Sequence, residues 1–373
     1  MEALDELRNL FSARHDIVRD WKRQGKHVVG WASTYTPEEI LYAASILPMR
    51  ILGSPETAKL AHAYCPDNMC SFCRSCFDVA LKGDYDYLDG FVTSASCDNR
   101  EKMYDLWRHH VEIPYFYFIN TPHTNTNTAH EFFYDELVRF RESLEKAFRT
   151  PISDQSLRKA VRIYNENRVL LKKLYNLRRK DPPLISGREA LETVLSSMLT
   201  PKEVHSRLLT QLLKEIPQRD DPPTKGVRLL ISGSVMDDAG LLEIVEATGG
   251  SVVADDLSTG SRYFWNSVDP TAESPLFAIA RRYLDRVPCP FMGQSEDRFR
   301  HVQDMVKRYD VEGVIIFVLR FCDPHLFDAP LLKAELESSG LPVLYLEWEH
   351  AMTGFAQLRT RIEAFLEMIR GVG

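Results

Sequence analysis

Long apolar runs are missing from this chain. No stretch approaches the roughly 18–20 consecutive apolar residues that a bilayer-crossing helix needs, so no membrane partner is expected. A basic surplus is missing as well: 46 lysines and arginines face 53 aspartates and glutamates, for a net charge of -7. A surface that tracks phosphates needs excess Lys and Arg, so no nucleic-acid partner is expected, while a local basic pocket for an anionic ligand stays open. Neither G-x-x-x-x-G-K-[ST] nor G-x-G-x-x-G occurs, which removes the P-loop and the dinucleotide fingerprint. Gly233-Ser234 and Gly249-Gly250 read as strand-end turns. H-E-x-x-H and G-x-S-x-G are absent too. Any ATP-dependent step must then come from a partner. The start, Met1-Glu2-Ala3-Leu4-Asp5-Glu6-Leu7, lacks the basic and apolar regions of a signal peptide. The expectation is a cytoplasmic protein with reduced thiols.

Cysteine is present and unevenly placed. Four of the seven lie in Cys65-Pro66-Asp67-Asn68-Met69-Cys70-Ser71-Phe72-Cys73-Arg74-Ser75-Cys76; the others are Cys97, Cys289 and Cys322. Clustered thiols without a secretory signal point to metal or redox chemistry rather than structural disulfides. C-x2-C-x2-C spacing suits iron–sulfur ligation and also zinc, and the plainer reading of any one thiol is a small buried hydrophobe. With 44% hydrophobic and 27% charged residues, the chain has ample material for a core, and its length suggests about two domains.

The pattern predicts a helix over 1–25, a strand at His27–Trp31, a helix with Pro37 at its first position running through Leu41 to Leu47, and a strand at 49–53. Ser71 is expected to cap a helix ending near Gly83, with Cys70 just before its positively polarised end, where a thiolate is favoured. Two later segments look like copies of one unit. Leu88-Asp89-Gly90 leads an apolar strand to Cys97-Asp98, then a helix, then a Pro-opened strand at 113–118. Val311-Glu312-Gly313 leads another to Cys322-Asp323, then a helix from about 329 to 339, then a strand at 341–346. Such alternation gives parallel sheets, whose ligands bind beyond the carboxyl ends of strands; Cys97 and Cys322 both fall there. The expected organisation is an N-terminal α/β domain (1–130), a helical connecting region (131–225) and a C-terminal α/β domain (226–373). The run Leu177-Arg178-Arg179-Lys180-Asp181 reads as a solvated face.

In order along the chain, several pieces resemble the 2-hydroxyacyl-CoA dehydratase and benzoyl-CoA reductase family. They are Tyr35-Thr36-Pro37-Glu38-Glu39-Ile40-Leu41, Cys70-Ser71-Phe72-Cys73-Arg74-Ser75, Leu88-Asp89-Gly90 leading to Cys97-Asp98, and Leu230-Ile231-Ser232-Gly233-Ser234. Asp255-Asp256-Leu257 with Gly260-Ser261-Arg262-Tyr263, Pro288-Cys289-Pro290 and the segment from Gln357 to Phe365 follow. The resemblance implies two Rossmann-like domains of flavodoxin type, joined by the helical segment and facing each other over an iron–sulfur cluster and an acyl-CoA thioester. It implies Cys70, Cys97 and Cys322 as ligands of a [4Fe-4S] cluster, with Cys73, Cys289 and one of Cys65 and Cys76 added if two cubanes are fused. The thiol surplus favours an ATP-dependent benzoyl-CoA reductase subunit that delivers low-potential electrons to an aromatic ring. The alternatives are a dehydratase working through a ketyl, an electron-relay subunit, or a zinc-stabilised scaffold. A homologous subunit and an ATP-hydrolysing iron–sulfur activator are the implied partners. His325 is the candidate proton donor, or else a structural ring near the site. Arg74, Arg100, Arg262 and Arg320 are candidate positive charges for CoA or the cluster, two of the four expected to be merely surface or salt-bridged.

Overall fold

The computed structural model describes residues 1–223, 225–351 and 354–371. Two helices, α1 (Glu2–Ser12) and α2 (Arg14–Arg23), open the chain. The single helix predicted over 1–25 is thus broken at Ala13, whose φ and ψ leave the helical region. The first sheet follows with β1 (His27–Trp31), β2 (Ile46–Arg50), β3 (Gly90–Ser94) and β4 (Tyr115–Ile119), all parallel, in the order β2-β1-β3-β4. Between its strands run α3 (Glu38–Ala43), α4 (Ser71–Leu81) and α5 (Asp98–His110). Pro37 is the cap of α3 rather than its first residue. Ser45, at φ 59, reverses the chain after α3, so Ile46 and Leu47 enter a strand that starts three residues earlier than expected. A short apolar run does not by itself choose between helix and strand.

Four helices separate the sheets: α6 (Asn127–Phe148), α7 (Asp154–Leu177), α8 (Gly187–Ser197) and α9 (Lys202–Glu215). Thr126, Ser153 and Ser186 cap the first three through their side chains, Ser186 in a reciprocal box with Glu189, each satisfying backbone donors that a helix start leaves open. Helix α1 packs on α8 and α9 through Leu4 and Leu7. The expected solvated run at 177–181 is not solvated at Arg178, which is 1% exposed. Its guanidinium pairs with Asp255 at 3.0 Å, donates to Val252 O and lies over Tyr175. A charge run in sequence carries no sign of a partner some 75 residues away.

The second sheet repeats the first. Strands β5 (Val227–Gly233), β6 (Gly250–Asp256), β7 (Gly313–Leu319) and β8 (Val343–Trp348) are parallel in the order β6-β5-β7-β8. Its helices are α10 (Gly240–Ala247), α11 (Ser261–Phe264), α12 (Pro275–Leu284), α13 (Ser295–Arg308), α14 (Asp323–Ser338) and α15 (Phe355–Arg370). Each sheet has the flavodoxin-type order short of a fifth strand. β5, β6 and β7 are buried along their whole length, as helix-covered parallel strands are, while β4 and β8 at the edges are partly open. Gly233 does end β5, and a Cβ there would lie 1.8 Å from Phe317 O, so only glycine lets β5 and β7 close at this point. Gly249, at φ 95, instead precedes β6. Helix α14 starts at Asp323, six residues before the expected position, and continues through Pro330. An interior proline usually ends a helix, which is why the sequence suggested a later start.

Candidate functional site

Strand β3 stops at Ser94 and β7 at Leu319; three residues on, Cys97 and Cys322 are the N-cap residues of α5 and α14. Phe321, at φ 62, makes the turn that delivers Cys322. Cys70, not Ser71, is the N-cap of α4. None of the three caps its own helix through its side chain, so the thiols are free to face elsewhere. They line one cavity of about 640 Å³ of atom-free space, part of it open to solvent, together with Cys73 and Cys289. The positive ends of three helices therefore border the same space. Cys65 and Cys76 are buried but do not line it.

Asn99, two residues after Cys97, ties the three segments together. Its Oδ1 accepts from Cys70 N at 2.8 Å, and its Nδ2 donates to Phe321 O at 3.1 Å. Sequence reasoning passed over this residue, and only its place beside Cys97-Asp98 could have drawn attention to it. Arg50 at the end of β2 was missed too; it lines the cavity beside Arg100. Of the four arginines singled out from sequence, Arg100 alone is there. Arg74 and Arg320 reach Glu349 at 3.5 and 3.4 Å, and Arg262 pairs with Asp256 at 3.3 Å.

The thiols share charge unequally. Hydrogen bonds from Cys322 and Cys73 hold the Cys70 thiol well below its usual range. The same bonds, with burial behind them, push Cys73 and Cys322 well above it. Burial raises Cys97 to about 12 against the pull of Arg100. The opposed shifts belong to a coupled set rather than to independent acids. Among the described residues, no group of three His, Cys, Asp or Glu stands at the spacing of a single metal ion. His325 borders the same cavity and is 4% exposed. Burial, then Arg262 and Arg298, keep its pKa well below the ordinary histidine value, so the ring is neutral. Its Nε2 faces Arg262 Nη2 at 3.5 Å; as the acceptor there, Nε2 leaves the ring proton on Nδ1.

A buried ion pair latches the two sheets beside this cavity. His350, after β8, holds Asp237 at 2.6 Å, and Asp237 accepts from Gly53 N at 2.9 Å in the other half. His350 N donates to Ser71 Oγ, and its ring meets Phe72 edge-on at 5.3 Å. Burial works against the charged imidazole, but Asp237 outweighs it and raises the His350 pKa. Burial likewise opposes ionisation of Asp237, and His350 outweighs it downward. The histidine contribution is full below about pH 6.5 and is lost as pH rises through the raised folded value. The aspartate contribution is present above about pH 4 and is lost as pH falls. Urea unfolding should therefore show His350→Gln costing about 3 kcal/mol near pH 6, with the loss shrinking as pH rises. A loss that is flat across that range would contradict the latch.

Residues 33–369 match the family described as 2-hydroxyglutaryl-CoA dehydratase, D-component. The chain is similar to the (R)-phenyllactyl-CoA dehydratase beta subunit of Clostridium sporogenes, with 29% identity over 95% of this chain and 94% of that protein. Lactoyl-CoA dehydratase subunit beta of Anaerotignum propionicum is 27% identical, over 98% of each. One of the benzoyl-CoA reductase subunits of Thauera aromatica is 24% identical, over 95% of this chain and 94% of that protein.

Proposed function

This chain belongs to the 2-hydroxyglutaryl-CoA dehydratase D-component family, and from that premise we propose that it is an iron–sulfur subunit acting on an acyl-CoA thioester beside a homologous subunit. The observation that carries this reading is the meeting of Cys70, Cys97 and Cys322, each at a helix start, in one cavity. The donor set fits the group: sulfur ligands, positive helix ends and two guanidinia suit an anionic, thiolate-held cluster, whereas hard cations select oxygen. Cys70, Cys97 and Cys322 would hold it. When bound, such a cluster supplies a one-electron donor of low potential. The chain does the rest. Arg100 and the three helix ends favour thiolate over thiol, and Phe72, Phe291 and Leu319 give part of the lining an apolar face. His325 meets the substrate as a neutral ring offering Nδ1–H, not as an imidazolium. An ATP-hydrolysing activator is the proposed electron source, on the same family reading.

Between the two branches, dehydration of a 2-hydroxyacyl-CoA is favoured. The cysteine surplus that pointed to a ring reductase loses weight with Cys65 and Cys76 away from the cavity, and the relatives include dehydratase beta subunits. Cys73 and Cys289 in the lining support ring reduction by a larger cluster as the second reading. Protein purified without oxygen should contain roughly four irons with matching acid-labile sulfide, or about eight on the second reading. One zinc per chain without sulfide would end both. With partner and activator added, conversion of 2-hydroxyacyl-CoA rather than an aromatic acyl-CoA is expected.

A further inference from the structure

Arg50 ends β2, lines the cysteine cavity and is 1% exposed. Its Nε, Nη1 and Nη2 have no hydrogen-bond partner among the described residues, and the guanidinium lies over the Trp31 ring at 4.5 Å. A guanidinium carries five donors in a fixed fork and stays protonated in proteins, and a buried charge left without partners is among the costliest arrangements a fold can hold. Arg100 shares the cavity in a similar state, buried over Phe72 at 4.9 Å with Nη1 unpartnered. Among the described residues, no Asp or Glu is in the lining. Of the carboxylates whose field reaches Arg50, Glu38 is engaged by Lys202 at 3.4 Å and Asp237 by His350. Two cations and three helix starts thus surround a space whose described lining holds no acidic side chain to answer them.

We propose that Arg50 is a counter-ion for an anion held in this cavity, with Arg100 as its companion. Resting on the iron–sulfur reading above, the anion is the thiolate-ligated cluster itself. Such a cluster is anionic and gains a further negative charge on reduction, so a fixed cation beside it favours both its retention and its reduced state. Arg50 then explains its own isolation: its partner is not part of the polypeptide.

The test compares the full chain as wild type, Arg50→Met and Arg50→Lys, each purified without oxygen and studied both apo and loaded with iron and sulfide. In the apo form Arg50→Met removes an unanswered buried charge, and Tm is expected to rise. In the loaded form the sign reverses: iron is lost to a chelator severalfold faster, and the midpoint potential from a redox titration followed by electron paramagnetic resonance moves to more negative values. Arg50→Lys, which keeps the charge but not the fork, stays nearer wild type in potential. The counter-ion role is overturned if Arg50→Met lowers Tm equally in both forms, or if its loaded form keeps the wild-type potential and iron. A wild-type chain that takes up no iron or sulfide overturns the iron–sulfur reading itself, a failure identified by iron analysis of the wild type alone.

Discussion

Cys322→Ser, purified without oxygen, is expected to lose most of its iron and its charge-transfer absorbance, and Cys97→Ser and Cys70→Ser should do the same. A serine hydroxyl is a harder and more basic ligand than a thiol, and iron–sulfur sites are built from thiolates. The three residues hold equivalent places, as N-caps of α14, α5 and α4 at one cavity. The apo proteins should melt close to wild type, because none of these side chains caps its own helix. Cys65→Ser and Cys76→Ser, outside the lining, should keep full iron. Cys73→Ser and Cys289→Ser decide cluster size: reduced iron in both supports a fused pair, full iron in both a single cubane. Normal iron and absorbance in Cys97→Ser or Cys322→Ser would sink the two-sheet cluster site.

The largest loss of stability is expected from Asp256→Asn. Asp256 is fully buried at the end of β6, where it pairs with Arg298 at 2.6 Å and Arg262 at 3.3 Å and accepts from Ser232 Oγ at 2.8 Å. Burial opposes its ionisation, but Arg262 and then Arg298 outweigh burial and hold its carboxyl low. Neutralising it leaves two buried guanidinia facing each other, with the Arg298–Asp328 pair as the remaining compensation. Removing one partner from a buried pair costs about 3–5 kcal/mol, and urea unfolding at neutral pH should read a loss of that size. Because this carboxyl is depressed in the fold, its contribution is present above about pH 4 and fades as pH falls through the folded value. Asp297→Ala is the control. Its i,i+3 pair with Arg300 is exposed on both sides, and such pairs contribute about 0–1 kcal/mol. Equal losses in the two variants would remove Asp256 from its central place.

Much of this was legible in the sequence, for reasons that can be named. Buried parallel strands read as apolar runs, so β1 falls at His27–Trp31 as the sequence predicts. The repeated Cys-Asp motif put Cys97 and Cys322 just beyond two strand ends, where parallel sheets present their ligands, and the fold places both there. What escaped depended on partners far along the chain. Arg178 looked like part of a solvated run, yet it is buried against Asp255. Asn99 joins Cys70 to Phe321 across more than two hundred residues. Arg50 sits at the end of an ordinary strand, and nothing local distinguishes it from a surface arginine. Helix limits also moved: Cys70 took the cap expected of Ser71, and α14 ran through Pro330.

The two sheets share one strand order, and the halves supply thiols from matching places. Cys97 and Cys322 follow the third strand of each half, while Cys70 and Cys289 lie in the crossovers that precede it. In outline this is a pseudo-symmetric dimer drawn into one polypeptide. Its electrostatics break that symmetry. The two guanidinia of the lining, Arg50 and Arg100, both belong to the N-terminal half. Across the cavity, the lining residue from the C-terminal half that could carry positive charge, His325, is uncharged, and behind it Arg262 and Arg298 are neutralised by Asp256 and Asp328. The charged guanidinia of the lining therefore stand on one half only. Any negative charge that arises between the walls is drawn towards the N-terminal side, which gives a nearly symmetric scaffold a preferred direction.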